Sequence, residues 1–199
     1  MAFSFELIQS LYFAVMLEIN FNPFPILKTE RLTLRQYRES DKGEMHKMRS
    51  DPKLMHFVPR PMTTSEEDAA AFITLLNESA AKNEFINWAI TFTGEDKLIG
   101  MIGLFRMNLE HFRTEIGYML MTEYHGKQIM QEAIDAAVKY AFEELKFHSL
   151  EAVISPDNIP SQKTIEKCGF VREAYFKDYE FYKGAFKDIL VYSKITTLK

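Results

Sequence analysis

The chain is short of cysteine and of glycine. Its single cysteine, Cys168, excludes an intrachain disulfide framework and fits a reducing compartment. It contains only 8 glycines in 199 residues, and no G-x-G-x-x-G pattern follows an early strand-like segment, which argues against a dinucleotide-binding domain. The 5 histidines are not spaced as metal ligands, so we expect no metal site.

Positive charge is also scarce, and it is missing from the N-terminal end. The formal net charge of −4 gives no electrostatic reason to expect a nucleic-acid partner. The first basic residue is Lys28, so the positively charged end of a signal peptide is lacking. Glu6, Gln9 and Glu18 interrupt the apolar N-terminal run, which leaves it too short to span a bilayer. These features predict a cytoplasmic protein that does not enter a membrane.

The chain begins with an apolar leader, residues 1–25. Helical spacing of five apolar side chains predicts a short amphipathic helix there: Leu7, Ile8, Leu11, Tyr12 and Val15. Pro23 and Pro25 separate the leader from residues 26–199, which we expect to form a single domain. The leader is then dispensable for the core fold, or its apolar stripe covers a neighbouring subunit in a homodimer.

Residues 26–199 alternate strand-like and helical segments, which predicts one α+β domain built on a mixed sheet. T-E-R-L-T-L-R-Q-Y-R indicates a first strand, and helical patterns follow Ser40 and begin again near Thr64 or Ser65. Residues 87–121 are strand-like, with a hairpin turn at Gly94. The elements expected later are a long helix after Gly126, the strand S-L-E-A-V-I-S, a helix closed by Gly169, and two aromatic strands that turn at Lys183 and Gly184.

Residues 115–130 join a buried strand to a long helix through a glycine. The strand is apolar at nearly every position after Glu115, which indicates burial on both faces. The start of a helix leaves backbone N–H groups unpaired, with the positive end of the helix dipole behind them. Gly126 lets the backbone approach an anion closely. The connection is able to bind phosphate, although a purely structural turn is the commoner role of such a segment.

A second strand–helix connection follows at Asn158. The segment S-P-D-N-I-P-S-Q-K-T-I-E-K-C-G-F places Asn158 and Ser161 at the head of a helix that directly follows a strand. Taken alone, an asparagine at this position is best explained as a helix N-cap. The two connections together, at this separation in the chain, are more informative than either one.

In combination the motifs resemble the GNAT superfamily of N-acetyltransferases, and within it the branch that acetylates ribosomal-protein N-termini and related amines. E-I-G-Y, H-G-K and I-M-Q-E-A resemble the family's cofactor motif, and N-I-P-S-Q-K-T-I-E-K-C-G-F resembles its second motif. T-E-R-L-T-L-R and G-A-F-K-D-I-L-V-Y resemble its opening and terminal strands. The resemblance implies the GNAT fold, an α+β fold whose mixed, mostly antiparallel twisted sheet of about seven strands is flanked by helices.

The resemblance also implies an acetyl-CoA site, with no metal, and assigns its contacts. Backbone groups of Met119, Leu120 and Met121 would pair with the pantetheine arm like an added strand. Asn158 would bond the pantetheine, and Ser161 would also contact the cofactor. Consecutive backbone N–H groups would hold the pyrophosphate, those of Gly126, Lys127, Gln128, Ile129 and Met130.

The sequence departs from the family pattern at two positions. Gln128 replaces a second small residue of the cofactor motif, and its side chain is expected to crowd the pyrophosphate or the helix–strand packing. Ile165 replaces a tyrosine that many relatives use to protonate the departing thiolate. Ser161 or a water would take that role, or the thiolate leaves without help. These departures keep open an alternative function, a catalytically weak or silent acyl-CoA-binding module.

A general base is needed because an amine is mostly protonated near neutral pH, and an ammonium cannot attack a thioester. Glu115 is the first candidate, since histone acetyltransferases of the same superfamily carry a catalytic glutamate in a similar E-I-x-aromatic context. A purely structural pairing with Arg113 or Arg106 is the competing explanation for this residue. Glu151, on the adjacent predicted strand, is the second candidate unless it is merely exposed or salt-bridged. A water relay without a single base also fits the sequence.

We therefore expect transfer of an acetyl group from acetyl-CoA to a primary amine, by direct attack in a ternary complex. The acceptor is either a protein N-terminus, such as that of a ribosomal protein, or a small amine. The sequence does not distinguish them, because the acceptor site is built from variable parts such as residues 51–62 and 108–113.

Overall fold

The computed structural model describes residues 17–197. The amphipathic helix predicted over residues 7–15 lies outside this range. The following segment packs onto the body, because Phe21 is fully buried and its N–H donates to Asn83 Oδ1 at 2.8 Å. None of the helices within residues 17–197 is long and apolar enough to cross a membrane.

Eight strands and five α-helices make up the described chain. The strands are β1 (Leu27–Lys28), β2 (Leu32–Arg35), β3 (Ile86–Phe92), β4 (Gly100–Asn108), β5 (Arg113–Leu120), β6 (Ser149–Ile154), β7 (Val171–Tyr182) and β8 (Ala185–Ile195). The helices are α1 (Lys42–Ser50), α2 (Pro52–Met55), α3 (Glu66–Ala81), α4 (Ile129–Glu143) and α5 (Ile159–Lys167). Single 3-10 turns at Glu39–Asp41 and Thr122–Tyr124 precede α1 and α4.

The strands form one sheet in the order β1-β2-β3-β4-β5-β6-β8-β7. All neighbouring pairs are antiparallel except β5 and β6, which are parallel. This confirms the mixed, mostly antiparallel sheet expected from the sequence, with eight strands instead of about seven. The short strand β1, which pairs with β2 through Leu27 and Leu34, was not anticipated.

Helix boundaries follow local capping chemistry in most places. Ser65 caps α3 by accepting a hydrogen bond from the Asp68 N–H, as the S-E-E-D segment predicts. Asn158 caps α5 in the same way by accepting from the Ser161 N–H. Asp51 follows the last residue of α1 and also opens the short helix α2, because its side chain accepts a hydrogen bond from the Lys53 N–H.

Two apolar clusters cover the two faces of the sheet. On one face, α4 and α5 pack over a cluster that includes Trp88, Ile134 and Phe147. On the other, α1 and α3 cover a cluster that includes Met48 and Ile73. We call these the α4 face and the α3 face of the sheet.

The sheet opens between β5 and β6. Their parallel pairing extends only from Arg113–Ser149 to Glu115–Glu151. Beyond Glu115 the strands diverge, because β6 continues along β8 while β5 continues along β4 alone. The sequence predicts that β5 is buried on both faces. Ile116, Met119 and Leu120 are buried as expected, whereas Gly117 and Tyr118 are only partly buried because they lie beside the opening. The opening positions the site described next.

Candidate functional site

A cleft of about 1400 Å³ lies where β5 and β6 diverge. Its lining brings together most of the residues that the sequence analysis assigned to a site: Glu115, Met119, Leu120, Gly126, Gln128, Ile129, Met130, Asn158 and Ser161. Three assigned residues, Met121, Lys127 and Glu151, are not part of that lining. The Lys127 side chain folds back, since its Nζ donates to the Glu123 carbonyl at 2.9 Å.

The edge of β5 that faces the opening offers backbone groups to an extended ligand. The Met121 N–H donates at 3.0 Å to the carbonyl of Ile99, the residue before β4. In an antiparallel ladder such pairs recur at every second residue, so Met119 also directs its N–H and C=O toward β4. The groups that point into the opening belong to Tyr118 and Leu120. Of the three residues predicted for strand-like pairing, Leu120 is thus the one oriented for it.

His125 reaches the same edge from the turn that follows β5. Its Nε2 is bonded to the Leu120 carbonyl at 2.8 Å, which makes Nε2 the donor, because a carbonyl oxygen only accepts. The sequence treats His125 as a surface or core histidine. The structure places it in the cleft lining, close to one of the groups that an extended ligand would use.

A row of free N–H groups lies at the entrance to helix α4. Within residues 17–197, no backbone or side-chain group accepts a hydrogen bond from the N–H groups of residues 126–131. The first helical bond runs from the Glu132 N–H to the Gln128 carbonyl. Gly126 has a φ of +75°, and a Cβ added there would meet no atom within 4 Å. The backbone is therefore open to an anion at this point, as the sequence predicts.

Gln128 is not a helical residue. It precedes the first residue of α4 and has a φ of 59° and a ψ of 14°, the left-handed conformation. Side chains other than that of glycine adopt this conformation at a cost of about 1–2 kcal/mol. The small residue expected at this position therefore has a backbone role, and the helix that the sequence places after Gly126 begins at Ile129.

Tyr118 and Ser161 form a hydroxyl pair across the opening. Tyr118 Oη lies 2.9 Å from Ser161 Oγ, which links β5 to the first turn of α5. Burial raises the pKa of Tyr118 to about 12, against a smaller lowering by the bond to Ser161. The hydroxyl is thus protonated at neutral pH and able to donate. Ile165 has no such capacity, and its side chain is fully buried in the core.

Glu115 lies on the α3 face of β5, in the cleft and 2.7 Å from Arg106 Nη1. Its side chain is 21% exposed. Burial raises the pKa of Glu115, Arg106 lowers it, and the neighbouring carboxylate of Glu151 raises it; the net shift is upward. Arg106 occupies a bulge in β4, where its φ is 46°, and bulges re-aim side chains in this way.

Glu151 is the direct strand neighbour of Glu115 but interacts with Arg113. Arg113 Nη2 lies 3.3 Å from its carboxylate. Because Glu151 is outside the cleft lining, its contribution to the site is the negative charge that it places beside Glu115.

Comparison with known proteins agrees with this geometry. Residues 31–171 match the family model of the acetyltransferase (GNAT) domain. The chain belongs to the GNAT acetyltransferase family. It is 30% identical to the N-acetyltransferase p20 of Bacillus licheniformis over 84% of this chain and 94% of that protein. It is 23% identical to the ribosomal protein uS5-alanine N-acetyltransferase of Escherichia coli over 81% and 86%.

A solved structure shares the fold of this acetyltransferase. The crystal structure of a GNAT-family acetyltransferase from Bacillus anthracis superimposes with a TM-score of 0.77 at 30% identity, covering 86% of this chain and 98% of that one. The family assignment makes acetyl-CoA the co-substrate. The free N–H groups of residues 126–131 fit its pyrophosphate, and the open edge of β5 fits the amide groups of its pantetheine arm.

Two residues of this acetyltransferase site, Tyr118 and His125, were missed in the sequence, whereas the pairing of Glu115 with Arg106 was anticipated and is observed. Tyr118 stands inside the E-I-G-Y motif, so the motif itself could have pointed to it. His125 carries no comparable signal, because the turn after β5 directs it into the site. Within residues 17–197 there is no group of three or more His, Cys, Asp or Glu side chains arranged to hold a metal ion.

Proposed function

We propose that the chain transfers the acetyl group of acetyl-CoA to a primary amine by direct attack in a ternary complex. The amine belongs to a protein N-terminus or to a small molecule. The observation that carries this proposal is the position of Glu115, a partly buried carboxylate of raised pKa that lies in the same cleft as the free N–H groups of residues 126–131.

Direct attack is supported by the way in which the cleft passes through the sheet. Glu115, Gly117 and Met119 share the α3 face of β5, because alternate residues of a strand point the same way. Tyr118 points to the α4 face, toward Ser161. The thioester would approach from the α4 side, and the amine from the α3 side, so both substrates can be bound at once.

An acetylated cysteine intermediate is disfavoured. Cys168 is buried, and burial raises the pKa of its thiol to about 12. The thiolate is the nucleophilic form of cysteine, so this thiol is unreactive at neutral pH. It is also outside the cleft lining.

Three side chains would move the protons. Glu115 takes a proton from the ammonium, which frees the amine for attack. Ser161 Oγ, with the Tyr118 hydroxyl bonded to it, donates a proton toward the sulfur. Acetyl-CoA supplies the activated acyl group, and the N–H groups of residues 126–131 hold it in place. Asn158 contributes its Nδ2, because its Oδ1 already accepts from the Ser161 N–H.

The test is a steady-state assay with acetyl-CoA, a panel of peptides and small amines, and detection of the free thiol. Direct attack predicts intersecting initial-velocity lines when both substrates are varied, and parallel lines would contradict it. Calorimetry with acetyl-CoA alone runs beside the assay. Tight binding without thiol release for any amine would support the alternative of a silent acyl-CoA-binding module.

A further inference from the structure

Arg49 lines the cleft at the end that faces helices α1 and α3. Its residue is only 8% exposed. Its Nη2 donates to the Pro61 carbonyl at 3.1 Å, and its guanidinium carbon lies 4.0 Å from the centre of the Phe72 ring. Its Nε is buried and has no hydrogen-bond partner in the described part of the chain. Within residues 17–197 no carboxylate lies within ion-pairing distance of this arginine.

A buried guanidinium without a carboxylate is energetically unfavourable. Burial lowers the pKa of Arg49, although an arginine keeps its charge at neutral pH. The interactions with the Phe72 ring and the Pro61 carbonyl offset part of the desolvation, but they do not neutralise the charge. An arginine that only anchors a loop would not need to line a cleft.

The neighbouring carboxylates are already paired. Arg106 binds Glu115 at 2.7 Å, and Arg60 lies 3.7 Å from Glu180. The positive charge of Arg60 acts on both Arg49 and Glu115. It lowers the pKa of Arg49, and it also lowers the pKa of Glu115 and so opposes the rise caused by burial. Arg60 and Arg106 therefore each have a carboxylate partner, and among the arginines of this lining Arg49 is the one that forms no ion pair within residues 17–197.

Asp68, also in the lining, does not compensate for the excess. Its Oδ2 accepts from the N–H of Thr64 at 2.8 Å and from the Thr64 hydroxyl. Those bonds keep its carboxylate at the start of α3.

We infer that the acceptor is a small amine that also carries an anionic group, such as an amino acid, and that Arg49 binds that group. The inference rests on the proposed function, since it places the amine at Glu115 and the anion at Arg49 in one cleft. Guanidinium binds carboxylate and phosphate through paired hydrogen bonds. A polyamine is a poor fit at this position, because an additional cationic group would meet Arg49, whose charge is not paired with a carboxylate.

The experiment compares matched amines. Amino acids are assayed against their carboxamides, phosphoethanolamine against ethanolamine, and taurine against ethylamine, with spermidine as the polycation. We expect kcat/KM for at least one anionic amine to exceed that of its neutral counterpart by about tenfold or more, because losing the partner of a buried charge is costly. The three pairs carry a carboxylate, a phosphate and a sulfonate, so their comparison shows which anionic group is preferred. Preference for the neutral members, or for spermidine, would overturn the inference.

Arg49→Met tests the residue itself, with Arg49→Lys as the variant that keeps the charge. In Arg49→Met we expect KM for the anionic amine to rise to that of its neutral counterpart, while KM for the neutral amine and for acetyl-CoA stays the same. Arg49→Lys should retain part of the preference. Equal loss for both members of a pair, together with a lower melting temperature, would assign Arg49 to holding the loop at Pro61 and contradict the inference. If Arg49→Met does not fold, the preference of the wild-type protein for anionic over neutral amines decides the inference.

The two proposals fail in distinguishable ways. Turnover of amines without regard to charge contradicts the inference alone and leaves the acetyltransferase function intact. Absence of thiol release with every amine contradicts the proposed function. In that case, calorimetry of the same amine pairs with the CoA-saturated protein decides the inference. Selective binding of the anionic member supports it, and equal or absent binding overturns it.

Discussion

Glu115 and Glu151 are directly paired on the parallel strands β5 and β6, at the last pair before the strands diverge. Each carboxylate has its own arginine, Arg106 for Glu115 and Arg113 for Glu151. Only Glu115 lines the cleft. Two adjacent carboxylates repel each other, and this repulsion adds to the burial that raises the pKa of Glu115. Of the two glutamates that the sequence offers as candidate bases, the one placed first is thus the one that lines the cleft.

Glu115→Gln is expected to lower kcat/KM by about 10²–10⁴-fold at neutral pH, with acetyl-CoA affinity nearly unchanged. The reason is that glutamine cannot accept the ammonium proton. The deficit should shrink as the pH rises, because free amine then becomes available without a base. Glu151→Gln is the matched control, and we expect a small effect from it. Full activity of Glu115→Gln at neutral pH would remove this residue from the mechanism.

Arg106→Met should move the acidic limb of the kcat/KM profile to higher pH. Arg106 lowers the pKa of Glu115, so its removal raises that pKa further and leaves less carboxylate at a given pH. Loss of activity without any movement of the limb would show that Arg106 acts only on the fold. Arg113→Met, which removes the partner of Glu151, serves as the control.

Stability should depend on Glu115 in a pH-dependent way. The pKa of Glu115 is raised in the folded protein, so its contribution to stability is fully present below the pKa of the unfolded chain. That contribution is lost as the pH rises through the folded pKa. The melting temperature of Glu115→Gln relative to wild type should therefore become more positive between acidic and neutral pH. A difference that stays constant, or falls with pH, would contradict the raised pKa.

Gly126→Val should weaken acetyl-CoA binding by about tenfold or more. A valine at a φ of +75° is strained, and its branched side chain would stand where the free N–H groups meet an anion. Gly94→Val is the control, because Gly94 has a φ of +84°, equally open space around its Cβ and a position outside the cleft. Both variants should lose stability, but only Gly126→Val should lose affinity by calorimetry. Equal affinities would show that the anion site is elsewhere.

Gln128→Gly should stabilise the protein by about 0.5–1 kcal/mol, since glycine adopts the left-handed conformation without strain but is more flexible when unfolded. Acetyl-CoA affinity should improve or stay the same. Lys146→Gly is the control, as Lys146 has a similar φ of 62° and lies outside the cleft. We expect denaturant titration to show stabilisation of both. Weaker acetyl-CoA binding by Gln128→Gly alone would mean that the glutamine side chain contacts the cofactor.

Periodicity and capping in the sequence predict the elements well. The alternation at Leu32 and Leu34, the cap at Ser65 and the turn at Lys183 and Gly184 all correspond to observed boundaries. Such features are local, because a cap or a two-residue turn depends on the few residues around it. The left-handed conformation of Gln128 was not anticipated, since a glutamine carries no local signal for it.

The sequence by itself determined the order of the elements, the glycine that precedes α4 and the family. Only the tertiary structure decided which glutamate reaches the cleft, which backbone groups of β5 are free, and that Arg49 is buried without a carboxylate partner among residues 17–197. These features depend on where two strands stop pairing and on a bulge that turns Arg106 toward Glu115. Such contacts join residues far apart in the chain, and local propensity does not encode them.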